Sequence, residues 1–185
     1  MKSLPSNRKL RYALIADLAN RLSGISPQFG KTVLMKLLYL LQDVYNLPLN
    51  YRFSFYTYGP YTPDVLSDLA RVNLLGGTDT TFVDDEPGGY LITPGSKYNQ
   101  VIEAGQTEMD SYSKEIDHLV DRFGHLRAKD LELRTTIVYV RKHSFPKSEA
   151  QTDKLVGVVK QLKPHFKETE ITVATEELKQ AKIID

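Results

Sequence analysis

The densest apolar run of the chain is KTVLMKLLYLLQDVY at positions 31–45. Its apolar side chains recur at i, i+1, i+4, i+5 and i+8, which is the spacing of one broad helix face. The positions expected in water are Thr32, Lys36, Gln42 and Asp43. We therefore predict a central core helix, which is too short and too polar to span a bilayer.

Further helices are predicted on both sides of this run. Leucine and isoleucine residues at helical spacing indicate one helix over 8–22. Ser26-Pro27 and Thr62-Pro63 each place a hydroxyl residue before a proline, the pattern of an N-cap followed by the first helical position. We predict that a helix begins at each of these two sites.

In two stretches the side chains alternate in the way that is typical of β-strands. In YRFSFYTY (51–58) the residues alternate with period two, which predicts a short strand broken by Gly59 and Pro60. The second stretch predicts a β-hairpin, with strands at 78–83 and 89–93 and the turn DDEPG between them.

The spacing of the apolar residues changes after residue 95. From Tyr98 to Phe123 apolar and aromatic residues are spaced alternately by four and three, a heptad seam that predicts one long helix. Two interpretations stay open, because this helix can pack on its own domain or use its seam as a homodimer contact.

The C-terminal part is also predicted to be helical. TTIVYV at 135–140 has strand propensity, but the apolar residues around it fit helix faces as well, and we favour a helix. Two short helices follow at 153–162 and 168–180, the second with Thr169 as its predicted N-cap.

Composition is ordinary for a soluble globular protein, with 41% hydrophobic and 25% charged residues among 185. The absence of cysteine excludes disulfides and thiolate chemistry and favours a reducing cytoplasm. Neither a signal peptide nor a transmembrane run is recognisable, so we expect a cytoplasmic protein with no membrane partner.

Motifs for catalysis and cofactors are weak. GISPQFGKT at 24–32 departs from a phosphate-binding loop, because five residues separate its glycines instead of four and its proline removes a backbone donor. The four histidines are scattered, with no pair on one helix turn to hold a metal. Asp84-Asp85-Glu86 is typical of a solvated hairpin tip. We therefore expect a non-enzymatic protein without nucleotide, cofactor or metal.

Two motifs resemble a known family. LMKLLY at 34–39 and FYTYGP at 55–60 are similar to the K-L-x-K-L-L-Y and Y-G-P signatures of the Panacea (antitoxin SocA-like) domain and the related YwgA-like proteins. The resemblance covers about residues 10–100. The matching positions are Lys31, Lys36, Tyr39, Tyr58, Gly59 and Pro60.

The predicted order of elements, helices followed by a strand, a helix and a hairpin, is that of a winged-helix domain. We expect an α+β fold, mainly α, with a winged-helix-like core and one β-hairpin in 1–95. A long helix and further C-terminal helices in 96–185 should pack on that core. The resemblance implies a small cytoplasmic, non-enzymatic module, which in antitoxins binds and neutralises a toxin partner.

Charge is unevenly distributed along the chain. Residues 1–36 carry seven Lys or Arg against one Asp, and 61–90 carry six Asp or Glu against one Arg. An acidic helix and hairpin would repel DNA, so we favour a protein partner with a basic patch. The predicted partner-binding residues are Tyr58, Gly59, Pro60, Tyr61, Asp64, Asp68, Asp84, Asp85 and Glu86.

The alternative is a DNA-binding winged-helix transcriptional regulator. Its phosphate contacts would come from the basic N-terminal segment, at Arg8, Lys9, Arg11 and Lys31, and its affinity would fall steeply with salt.

Overall fold

The structure is a computed structural model that describes residues 6–84, 88–145 and 152–185. Within these ranges the chain is mainly helical, as predicted, and its four short strands form two antiparallel hairpins. The helices are α1 (Ser6–Leu22), α2 (Lys31–Asp43), α3 (Pro63–Leu74), α4 (Tyr98–Glu103), α5 (Gln106–Asp110), α6 (Ser113–Phe123), α7 (Ala128–Ser144), α8 (Thr152–Leu162) and α9 (Glu168–Gln180). The strands are β1 (Ser54–Tyr56), β2 (Gly59–Tyr61), β3 (Thr78–Val83) and β4 (Gly89–Pro94).

The predicted core helix is α2, and every residue from Val33 to Leu41 is buried. One expectation for it is wrong: Lys36 was placed in water and is only 2% exposed. Its ammonium is covered because it donates a hydrogen bond of 2.8 Å to the Pro60 carbonyl. Gln42 is half-buried, and its side chain bonds both backbone groups of Tyr51.

The two predicted helix starts have different outcomes. Thr62 caps α3 as expected, since its hydroxyl accepts from the Asp64 amide at 3.4 Å. No helix begins at Ser26, and that prediction is wrong. The chain before α2 instead runs beside β4, where the Ile92 amide donates to the Phe29 carbonyl at 2.8 Å.

The strand predicted before Gly59 is only half of what forms there. Gly59 and Pro60 do not break it but belong to β2, and they pair with Tyr56 and Phe55 respectively. The described chain therefore has two β-hairpins where one was expected. The predicted hairpin is confirmed as β3 and β4, which pair from Thr78↔Pro94 to Val83↔Gly89.

The heptad seam does not form one long helix. It is divided into α4, α5 and α6, with breaks at 104–105 and 111–112. A Cβ at Gly105 would lie 2.6 Å from the Lys9 carbonyl oxygen, so this glycine permits close packing against α1. Seam residues such as Ile116 and Leu119 are buried by the chain's own helices. The single-helix prediction is wrong, and intramolecular packing accounts for the seam.

The C-terminal helices pack on the first half of the chain. Residues 135–140 lie within α7, so the favoured helix is confirmed, and α7 packs against α2, β2, α8 and α9. The N-cap of α9 is Lys167, not Thr169, because the Lys167 amide donates to the Glu170 carboxylate at 2.7 Å. One cluster of buried residues extends from Leu10 to Ile184. None of the described helices is long and apolar enough to cross a bilayer.

Candidate functional site

The hairpin of β1 and β2, called the YGP hairpin below, is held by two lysines from distant parts of the chain. Its two-residue turn is Thr57-Tyr58, between the paired Tyr56 and Gly59. Lys163, which follows α8, donates a hydrogen bond to the Thr57 carbonyl. Lys36 of α2 donates to the Pro60 carbonyl, on β2. The turn and one strand of the hairpin are therefore each anchored by a buried ammonium group.

Gly59 fits this hairpin because no other residue would do so without strain. Its φ of +84° lies in the left-handed region that favours glycine. A Cβ at this position would also lie 3.0 Å from Thr136 Oγ1 and 3.6 Å from Lys36 Nζ. The YGP hairpin thus packs directly on α7 and on the Lys36 ammonium.

A buried charge cluster underlies the hairpin. Lys163 Nζ lies 2.6 Å from Glu132 Oε1, and the two residues are 1% and 7% exposed. Lys36 is the third member. His165, an exposed residue, places its Nε2 3.6 Å from the same Glu132 oxygen. The single buried carboxylate is therefore paired with Lys163 and acts on Lys36 only through its charge.

This arrangement disfavours the charged form of Lys36. Burial is the largest cause, and it lowers the pKa of Lys36 from 10.5 to about 8. The Glu132 carboxylate acts to raise this pKa, and the Lys163 ammonium acts to lower it further. Lys36 is consequently a lysine that can lose its proton near neutral pH.

A cavity of about 310 Å³ opens beside Lys36. It lies between α2, the YGP hairpin and the first half of α3. Its walls are mostly apolar or aromatic, with two lysines, and include Lys31, Met35, Lys36, Tyr56, Tyr58 and Leu66. Its size is at the lower end of the range for ligand pockets.

The YGP residues differ in exposure. Tyr58 is 66% exposed at the turn and Tyr56 is 64% exposed beside it, whereas Gly59 and Pro60 are buried. Tyr61 is half-buried, and its ring lies 5.7 Å from that of Tyr56 between centroids. The tyrosines, rather than the glycine and proline, form the accessible part of the motif.

The predicted acidic residues do not form one surface. Asp64 is exposed in the first turn of α3, and Asp84 is exposed after β3. Asp68 is buried and bonds Arg11 and Tyr51, so it lies in the interior. Burial raises the pKa of the Asp68 carboxyl, although Arg11 and the Tyr51 hydroxyl favour its charged form. Asp85 and Glu86 lie outside the described residues.

The predicted nucleic-acid residues are also separated. Arg8 is exposed and Lys9 is half-buried on α1. Arg11 is engaged with Asp68. Lys31 Nζ lies 3.3 Å from the centroid of the Tyr90 ring, a cation–π contact with β4.

Sequence reasoning missed the C-terminal half of the site. Glu132 and Lys163 contribute the buried carboxylate and the second anchoring ammonium, and Thr136 contacts Gly59. The available signal was a charged residue within an apolar helical pattern, which occurs at Lys36 in α2 and at Glu132 in α7. No group of three or more metal-ligating side chains is present in the described parts of the chain.

Comparisons of the chain with protein-family models, with curated proteins and with solved structures give no match. The resemblance to the Panacea domain therefore depends on the motif residues alone and stays a prediction.

Proposed function

We propose that this chain is a non-enzymatic protein-interaction module of winged-helix type, similar in role to an antitoxin. It binds a protein partner through the exposed tyrosines of the YGP hairpin, with Asp64 and Asp84 as flanking acidic residues. The wider arrangement that supports a winged-helix type is the packing of α1 on α3 and on the β3–β4 hairpin.

One observation carries the proposal: Tyr56 and Tyr58 are exposed on a hairpin whose backbone accepts hydrogen bonds from two buried lysines. Large aromatic side chains on the surface are the residues most often found as interface hot spots. Lys36 and Lys163 fix the backbone that carries these rings. A fixed backbone loses little conformational entropy on association, which favours tight binding.

The alternative of DNA binding has less support. Arg11 and Lys31 are occupied by Asp68 and Tyr90. Asp64 on α3 and Asp84 beside the β3–β4 turn would face phosphate with like charge.

Photo-cross-linking tests the proposal in cells of the source organism. A benzophenone amino acid replaces Tyr58 in one variant and Val173 in another, since Val173 of α9 is similarly exposed at 58%. We expect position 58 to give a discrete cross-linked protein that position 173 does not give. The yield should fall when Tyr56→Ala is added, because this change removes the neighbouring ring.

Two outcomes would refute this function. The first is the same cross-linking profile from positions 58 and 173. The second is a complex that nuclease treatment abolishes and that Arg8→Ala weakens, which would favour the DNA-binding alternative instead.

A further inference from the structure

We infer that the cavity beside Lys36 binds a carboxylate attached to an apolar group, and that in the cell this group is supplied by a peptide segment of the partner protein. The inference rests on the proposed function and assigns the chemistry of its central contact.

The first argument is the charge balance beneath the YGP hairpin. Lys163 is neutralised by Glu132 at 2.6 Å and also donates to the Thr57 carbonyl. Lys36 has one hydrogen bond among the described residues, to the Pro60 carbonyl, although an ammonium has three donors. Burying an ammonium without an anionic partner is costly. A carboxylate in the adjacent cavity would supply the missing charge.

The second argument is the shape and lining of the cavity. About 310 Å³ accommodates one side chain with its carboxylate, but it is small for a nucleotide. Met35, Leu66 and the ring of Tyr58 offer apolar contact to that side chain. A singly charged carboxylate on an apolar body fits both features.

The location also agrees with a partner's peptide. Tyr56 and Tyr58 line the cavity and are at the same time the exposed rings of the proposed interface. A segment that packs on these rings would bring a carboxylate to the cavity that Lys36 lines.

Small probes test the chemistry on the wild-type protein. N-acetyl-phenylalanine presents a C-terminal carboxylate beside an aromatic ring, and its amide is the neutral control. Binding is followed by NMR through the ε-carbon signal of Lys36 at pH 7. We expect the acid to bind at least tenfold more tightly than the amide, because hydrogen bonds to charged groups are the stronger ones.

Two further probes identify which part of the ligand matters. N-acetyl-aspartyl-phenylalaninamide carries its carboxylate on a side chain, and tighter binding of either acidic probe identifies the source of the group in the partner. Acetate lacks the apolar body and should bind at least tenfold more weakly. Three outcomes would each overturn the inference. N-acetyl-phenylalanine and its amide could bind equally tightly, acetate could bind as tightly as N-acetyl-phenylalanine, or neither acidic probe could bind.

Variants locate the binding group. Lys36→Met keeps most of the side chain's length, removes the unbalanced charge and should weaken binding of the better acidic probe at least tenfold. Lys114→Met is the matched control, because Lys114 is exposed on α6 and does not line the cavity. If Lys36→Met fails to fold, the inference is still tested by comparing the affinities of the acid and the amide for the wild-type protein.

The cross-linking experiment separates this inference from the proposed function. A partner cross-linked at position 58 with unchanged yield in Lys36→Met would overturn the carboxylate contact and leave the interaction module intact. Loss of that yield in Lys36→Met, with Lys114→Met unaffected, would support both.

Discussion

Arg11 Nε lies 2.8 Å from Asp68 Oδ2, and the Tyr51 hydroxyl donates to the same carboxylate oxygen at 2.8 Å. The Arg11 guanidinium also lies over the Tyr51 ring, 4.6 Å from its centroid. This pair joins α1 to α3 inside the fold, so the three side chains fix how the two helices pack.

Removing Asp68 should therefore leave the half-buried Arg11 guanidinium and the Tyr51 hydroxyl without their carboxylate. We expect Asp68→Ala to lower the free energy of unfolding by about 1.5–3 kcal/mol, the range for hydrogen bonds to a charged group. Chemical denaturation measures the change. Asp64→Ala on the same helix is the control, and it should cost much less because Asp64 is exposed. The assignment of Asp68 to the interior would be contradicted by similar costs for the two variants.

The glycines of the chain provide a paired test of the YGP hairpin. Gly59→Ala should destabilise the protein by about 1–2 kcal/mol through its positive φ alone, with added crowding from Thr136 Oγ1. Gly157→Ala should stabilise it by about 0.5–1 kcal/mol, because this residue is inside α8 and nothing would contact the new Cβ. Thermal unfolding of both variants shows whether each substitution lowers or raises the stability. Equal effects would mean that the hairpin does not hold Gly59 in this conformation.

Local signals explain which elements could be predicted. The Thr62 cap and the alternating residues of β3 and β4 are local patterns, so α3 and the second hairpin are predicted with nearly correct bounds. No helix starts at Ser26, because its amide donates to the Leu22 carbonyl at the end of α1 and the following chain pairs with β4 at Phe29. The long helix failed at Gly105, whose close approach to Lys9 is a tertiary contact that heptad spacing does not report.

The site was harder to predict than the fold for the same reason. A lysine in a leucine-rich helix is normally expected at the surface, and Lys36 is covered only because the YGP hairpin folds over it. Glu132 and Lys163 reach this place from α7 and from the end of α8. Their approach depends on packing between distant helices, which no pattern within one segment reveals.

The covered seam makes a prediction about assembly. Ile116 is buried in α6, so Ile116→Asp should lower the stability of the monomer by several kcal/mol, about 3–5. Sedimentation should show the same mass for wild type and for any folded fraction of the variant. Lys114→Asp, an exposed change on the same helix, should leave both properties nearly unchanged. A wild-type dimer that Ile116→Asp converts to a folded monomer would contradict the intramolecular packing.

The depressed pKa of Lys36 makes stability depend on pH in a specific direction. The folded state releases this proton near pH 8, whereas the unfolded chain keeps it up to about 10.5. Between these values the unfolded state binds more protons, so the free energy of unfolding should rise with pH. The full rise is about 3 kcal/mol, since each pKa unit is worth about 1.36 kcal/mol.

The measurement is urea denaturation from pH 7 to pH 10, with Lys36→Met as the comparison. The upper limit matters because burial raises the pKa of Tyr51 and of Tyr39, so their ionisation in the unfolded state lowers stability above pH 10. Wild type should gain stability relative to Lys36→Met across this window, and Lys114→Met, an exposed change on α6, should follow the wild-type curve. Parallel curves for wild type and Lys36→Met would mean that Lys36 keeps an ordinary pKa, and that its ammonium is better solvated or better paired than its burial beneath Pro60 indicates.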